Sequence, residues 1–177
     1  NFDGVFPLTS PIGKLSKKQL AEASKWWDNI GVVRNGRPRF CFIGTLSAAF
    51  DFNPVYEAAK KLMSENYNCE FIICGDGEKK SAIEKKMSDL PNVIFPGWID
   101  RSKIEALSAR CSCTLAPYNN TEDFIMSIPN KVIDSLSMGL PVLSPLGGEV
   151  AKLIDNEGVG LHYGTDTGKT LYECIEV

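Results

Sequence analysis

Glycine recurs in this chain where an apolar run gives way to a helical pattern, and those junctions carry its clearest chemistry. Gly44-Thr45-Leu46-Ser47 follows the run ending at Ile43, and Gly75-Asp76-Gly77-Glu78 follows the run ending at Cys74. Gly97-Trp98-Ile99-Asp100, Pro117-Tyr118-Asn119-Asn120 and Gly147-Gly148-Glu149 close three more. Glycine lets a phosphate-bearing ligand come close to backbone N–H groups, and a helix N-terminus adds a dipole that favours an anion. Any one of these glycines also serves simply to turn the chain. It is their repetition after successive runs that points to a ligand. The G-D-G-E string is not a dinucleotide fingerprint, which needs G-x-G-x-x-G after the first strand, so a nicotinamide enzyme is not expected.

Other chemistries are poorly served. His162 is the only histidine and lies in the apolar run GVGLHY, with no G-x-S-x-G elbow to suggest a Ser–His–Asp device, so it reads as structural. Of the six cysteines, Cys41, Cys69, Cys74, Cys111 and Cys113 lie in or beside apolar runs, without a C-x-x-C pair or zinc-finger spacing. They are expected to be buried and reduced, in a cytoplasmic protein. Neither metal ligands at a usual spacing nor a D-x-D motif is present, so no metal or other cofactor is expected. The net charge of −3 with no basic run argues against nucleic acid as a partner. No apolar stretch approaches the roughly 20 residues of a membrane span, and no signal peptide opens the chain.

The elements that must hold these loops alternate. Strand-like runs fall at 40–44, 70–74, 92–95, 112–116, 141–144 and 159–163, with helical periodicity between them. Asn53-Pro54 reads as a cap and first-turn proline before VYEAAKKLMSEN. The segment from Glu78 to Asp89 turns Ile83 and Met87 inward. Ser102-x-x-Glu105 reads as a capping box, opening a helix that sets Ile104, Leu107 and Cys111 toward the sheet. Ile128-Pro129 opens a further helix, which Gly139 ends. This pattern predicts an α/β fold: a doubly wound, Rossmann-like, parallel six-stranded sheet with helices on both faces, strand order 3-2-1-4-5-6, and all the glycine-bearing loops on one edge. Residues 1–15 read as a linker, and Ser16–Ile30 as an amphipathic helix packing on the domain. The division expected is thus 1–37, linker plus packing helix, and 38–177, the sheet domain. Asn1 in place of Met, and a last helix that stops after about two turns, read as a piece cut from a longer protein.

From Phe40 to Tyr163 the order of landmarks resembles the C-terminal, donor-binding domain of the GT-B glycosyltransferases, specifically the large retaining family 4, or group 1. The landmarks are F-I-G-T-L, I-I-C-G-D-G-E, N-V-I-F-P-G-W-I, C-T-L-A-P-Y, I-P-N-K-V-I-D-S-L-S-M-G-L-P-V and P-L-G-G-E. The last two together are specific, and Asn1–Pro7 looks like the family's inter-domain linker.

The resemblance implies a nucleotide-diphosphate sugar as substrate, bound without a metal, and an acceptor that is a glycan or lipid-linked. The catalytic histidine and acceptor site would lie in an N-terminal GT-B domain, so no catalytic residue is expected here and these residues alone are expected to be inactive. It further implies surface-glycan or polysaccharide synthesis, with attachment at the inner face of the membrane through that other domain. Of the family's E-x7-E pair, the second acid falls on Asp134, implied to bind ribose hydroxyls. The first falls on Met126, and Glu122 or Asp123 would replace it through a loop shift. Lys131, in P-N-K, shares a helix face with Asp134 and would neutralise the diphosphate. The first loop has Thr45 where the family has Arg, and S-A-A-F-D-F-N offers no Lys. Trp98 would line the base pocket or pack in the core, while Gly147, Gly148 and Glu149 would approach phosphates and sugar. Gly44, Gly75, Gly77 and Tyr118 complete the expected donor site. Two alternatives stand beside this one: an epimerase or hydrolase of the same superfold, and a degenerate, non-catalytic nucleotide-binding module.

Overall fold

The structure is a computed structural model that describes residues 15–164 and 167–176. The expected linker at the N-terminus lies almost wholly outside them. Six strands form one sheet: β1 (Arg39–Ile43), β2 (Glu70–Cys74), β3 (Val93–Gly97), β4 (Cys113–Leu115), β5 (Val142–Ser144) and β6 (Gly160–His162). Their order is β3-β2-β1-β4-β5-β6 and every pairing is parallel. The expected topology is therefore found. Because all strands point one way, every strand-to-helix loop emerges on the same edge.

Side-chain alternation sorts the core into two faces. Phe40, Phe42, Phe71 and Ile73 point into one cluster with α2 (Asn53–Ser64), α3 (Lys80–Lys86) and α8 (Leu171–Ile175). Cys41, Ile72 and Cys74 point into the other, with α1 (Lys17–Asn29) and α4 (Arg101–Ser108). Farther along that second face, a third cluster lies under α6 (Asn130–Ser137) and α7 (Gly148–Glu157). The short α5 (Glu122–Ile125), too brief to show a period in the sequence, precedes α6.

Two caps differ from expectation. Asn53 lies within α2 rather than capping it, and its N–H is held by Asp51 Oδ1 at 2.9 Å. The N-cap of α4 is Asp100, whose carboxylate accepts from the Lys103 N–H at 3.0 Å. Ser102 is already inside the helix and donates its hydroxyl to Asp100 at 2.6 Å, the carboxylate two residues earlier being the better acceptor for the free amides. The capping boxes that do form are Ser16 with Gln19 on α1 and Thr170 with Glu173 on α8.

Candidate functional site

The carboxyl edge of the sheet brings Gly44 and Lys131 together. Helix α6 packs on the face opposite Phe42, so the Lys131 side chain passes over the end of β1 to reach its place. There its ammonium donates to the Ile43 carbonyl and lies 4.4 Å from the Phe42 ring centre and 5.3 Å from that of Phe50. Gly44 has φ +154°, and a Cβ on it would land on the Lys131 Nζ, so only glycine leaves room for this ammonium. Burial lowers the Lys131 pKa to about 8, against the pull of nearby Asp134, which favours the charged form. Lys131 and Asp134 are thus near each other, with the cation sunk in the edge and Asp134 one turn on and exposed.

The neighbouring loops are stitched around this point. The Asp51 N–H donates to the Pro117 carbonyl at 2.8 Å and the Asn119 N–H to the Ala49 carbonyl at 2.9 Å. Asn119 Nδ2 adds a bond to the Ala48 carbonyl at 2.7 Å. The ring of Tyr118 is buried, 4.6 Å from Phe50 and 4.7 Å from Phe124. Burial and the charge of Asp134 push its hydroxyl up to about 12. Gly75 and Gly77 have a packing role: a Cβ on either would strike the backbone of Gly44 or Leu46. The Gly147 N–H donates to Asn120 Oδ1 at 3.2 Å, and Gly148 sits against the Ile125 carbonyl.

The remaining expected residues stand farther out. Trp98 follows β3, two strands from β1, and is 71% exposed, so it is not a core residue. Thr45 and Asp123 are exposed, Met126 is 73% exposed, and Glu149 is turned to Lys152 at 2.7 Å. His162 Nε2 is within 3.2 Å of the Pro145 carbonyl, a structural contact as expected. Sequence reasoning missed Phe42 and Phe50 and took Asn119 and Asn120 only as part of the loop after β4; the F-D-F run after the first strand is the one signal that pointed to an aromatic wall. Five helices on this edge, α2, α3, α5, α6 and α7, start without a side-chain cap, α6 after Pro129 and α7 after Gly147. The first amides of α6 and α7 are open to an anion. Among the described residues no cluster of His, Cys, Asp or Glu could hold a metal ion, and no helix is long and apolar enough to cross a membrane.

A family model described as Glycosyl transferases group 1 matches residues 37–176. No curated protein matches the chain. Among solved structures, a glycosyltransferase from Rickettsia africae ESF-5 superposes with a TM-score of 0.67 at 17% identity, over 92% of this chain and 41% of that one. WaaG, a glycosyltransferase involved in lipopolysaccharide biosynthesis, gives a TM-score of 0.62 at 17% identity, over 86% of this chain and 40% of that one. The catalytic domain of cholesterol-alpha-glucosyltransferase from Helicobacter pylori gives 0.57 at 13% identity, over 78% and 84%. These likenesses concern the fold. The chain spans 29% of the Staphylococcus aureus TarM mutant chain and 40% of the WaaG chain it matches.

Proposed function

Because the chain belongs to the glycosyl transferases group 1 family, which its residues 37–176 match, we propose that it binds a nucleotide-diphosphate sugar along the carboxyl edge of its sheet, for transfer of the sugar to an acceptor. The observation that carries this reading is the Lys131 ammonium, brought over the end of β1 and set beside Gly44. An ammonium in a partly dry cleft makes charge-assisted hydrogen bonds to phosphate oxygens. The uncapped amides of α6 and α7 would take the remaining oxygens, and the bare Gly44 leaves the approach clear.

In the same reading Asp134 accepts from the ribose hydroxyls, exposed Trp98 borders the base, and Gly147, Gly148 and Glu149 face the sugar. The leaving diphosphate is neutralised by the ammonium and the helix amides, without a metal. Retention of configuration and a role in surface-glycan synthesis belong to the proposal, as does an acceptor site and catalytic group in an N-terminal GT-B domain. WaaG, with its part in lipopolysaccharide biosynthesis, supports the pathway. Six free thiols suit a reducing cytoplasm.

A thermal-shift panel of nucleotide-diphosphate sugars tests donor binding, and calorimetry then assigns the roles. Lys131→Ala is expected to weaken the best donor by roughly 10- to 100-fold, as a lost charge-assisted bond does, and to leave the nucleoside unaffected. Asp134→Ala is expected to weaken both alike. Donor affinity that stays within twofold in Lys131→Ala would show that the ammonium does not hold the diphosphate. A panel with no binder would favour a non-catalytic module.

A further inference from the structure

We propose that Phe50 is a positioning residue: with Phe42, its ring seats the Lys131 ammonium beside Gly44, so that the charge is held in place for an incoming diphosphate. The ligand in this inference rests on the donor reading above, whereas the seat belongs to the free protein. The two rings stand 4.4 and 5.3 Å from the ammonium nitrogen, close enough for the negative faces of both to attract it. A carboxylate in the same place would attract the cation more strongly, but it would also cancel the charge and repel a phosphate. An aromatic face stabilises the cation without giving it a counter-charge.

Phe50 is also fixed more firmly than a loop side chain needs to be. Its ring packs edge-on against Phe42 at 5.0 Å and tilted against Tyr118 at 4.6 Å. Its backbone forms an antiparallel bridge with Tyr118, and the bonds from the Asp51 N–H to the Pro117 carbonyl and from the Asn119 N–H to the Ala49 carbonyl fasten both sides of it. The charged and titratable groups that act on the ammonium are Asp134 from its own helix and Cys41 from β1. Tyr118, from the loop after β4, is coupled to Asp134 in turn. Lys131 keeps three N–H donors, of which one goes to the Ile43 carbonyl, leaving donors for a phosphate.

The test reads the Lys131 titration directly, by NMR of the full chain with 13C-labelled lysine, the Lys131 signal being assigned by its loss in Lys131→Met. The wild-type midpoint is expected at about 8. Phe50→Leu keeps the apolar wall but removes the aromatic face, so its midpoint should fall by roughly half to one unit. Phe50→Ala opens the seat to water, so its midpoint should climb toward the ordinary lysine range. Phe50→Tyr should restore the wild-type value. A ring that served packing alone would give midpoints that rise in both Leu and Ala, and a Leu midpoint equal to or above wild type overturns the proposal. Should Phe50→Ala fail to fold, the Leu and Tyr variants decide by themselves. Inorganic pyrophosphate, followed by calorimetry at pH 7, supplies the second arm: Phe50→Ala should bind it about threefold to tenfold more weakly than wild type and Phe50→Tyr equally well. If wild type binds neither pyrophosphate nor uridine diphosphate, the donor reading fails, while the split between Leu and Ala still decides the seat.

Discussion

At the scale of single residues, Lys131 trades stability for a charge in the right place. Its ammonium loses hydration on folding, which lowers its pKa from the usual 10.5 to about 8. Between those values the folded chain holds fewer protons at this site than the unfolded chain. Stability contributed by Lys131 therefore rises with pH across that window, and the whole burial cost is present below pH 8. Lys131→Met keeps the methylenes against Phe42 and Phe50 and removes the charge. It is expected to raise the unfolding free energy at pH 7 by about 1–3 kcal/mol and to flatten the rise between pH 8 and 10, as read by urea unfolding. A loss of stability in that variant would mean that the ion is better compensated than its burial implies. Donor affinity should follow the opposite course. A diphosphate favours the charged form, so affinity should be level below pH 7 and fall as pH passes through 8. Lys131→Arg, always protonated, should bind with no such fall.

At the scale of elements, α1 is part of the domain's second core although it precedes the matched region. Trp27 is fully buried and donates its Nε1–H to the Lys103 carbonyl at 2.8 Å, while Ala23 and Val32 join Cys41, Ile72 and Cys74. Arg110, at the end of α4, ties the helix down: it donates to the Val32 carbonyl at 3.0 Å, to Ser24 Oγ at 2.7 Å and to Asp28 at 3.0 Å. Arg110→Met leaves those acceptors without their donor and is expected to cost about 2–4 kcal/mol, with the Trp27 fluorescence shifting to the red as α1 loosens. Unchanged stability and emission would show that Trp27 alone holds α1. The strands around this core were legible because each is an apolar run bounded by glycine or proline, and a one-way alternation of strand and helix permits few arrangements. The caps were less legible. Asp51 and Asp100 sit two residues before residues equally suited by type, Asn53 and Ser102, and the choice between them depends on where the chain leaves the strand. Lys131, Asp134 and Gly44 were legible from their motifs, but the seat was not. It joins β1, its loop and α6, which are far apart in sequence, and side chains meeting across the end of a strand leave no local period.

At the scale of the whole molecule, the sheet divides the chain's six thiols between two faces, and that makes them reporters of how the domain opens. Cys69, Cys113 and Cys174 belong with the α2 and α8 side, and Cys41, Cys74 and Cys111 with the α1 and α4 side. Cys111 and Cys113 reach opposite faces although alternation along a strand would set residues two apart on the same face, because Cys111 lies before β4, in the segment leaving α4. Four of the six are buried and two are half-buried, and all are free. Burial also keeps the thiol protonated: it lifts Cys69 to about 11 and raises Cys74 well above the usual range, while Cys41 is raised first by its hydrogen bond with Cys111 and then by burial. Since the thiolate is the species that reacts, an aromatic disulfide reagent at pH 8 should modify no more than Cys111 and Cys113 quickly in the native chain. Denaturant without reductant should release six groups. The four buried thiols should then appear natively at one shared rate, because Phe40 and Cys41 alternate on a single strand and neither face can open without disturbing β1. Mass spectrometry of partly labelled chains checks this: species should carry two labels or six. Release of Cys41 and Cys74 ahead of Cys69 and Cys174 would instead show that the α1 side comes away as a unit of its own.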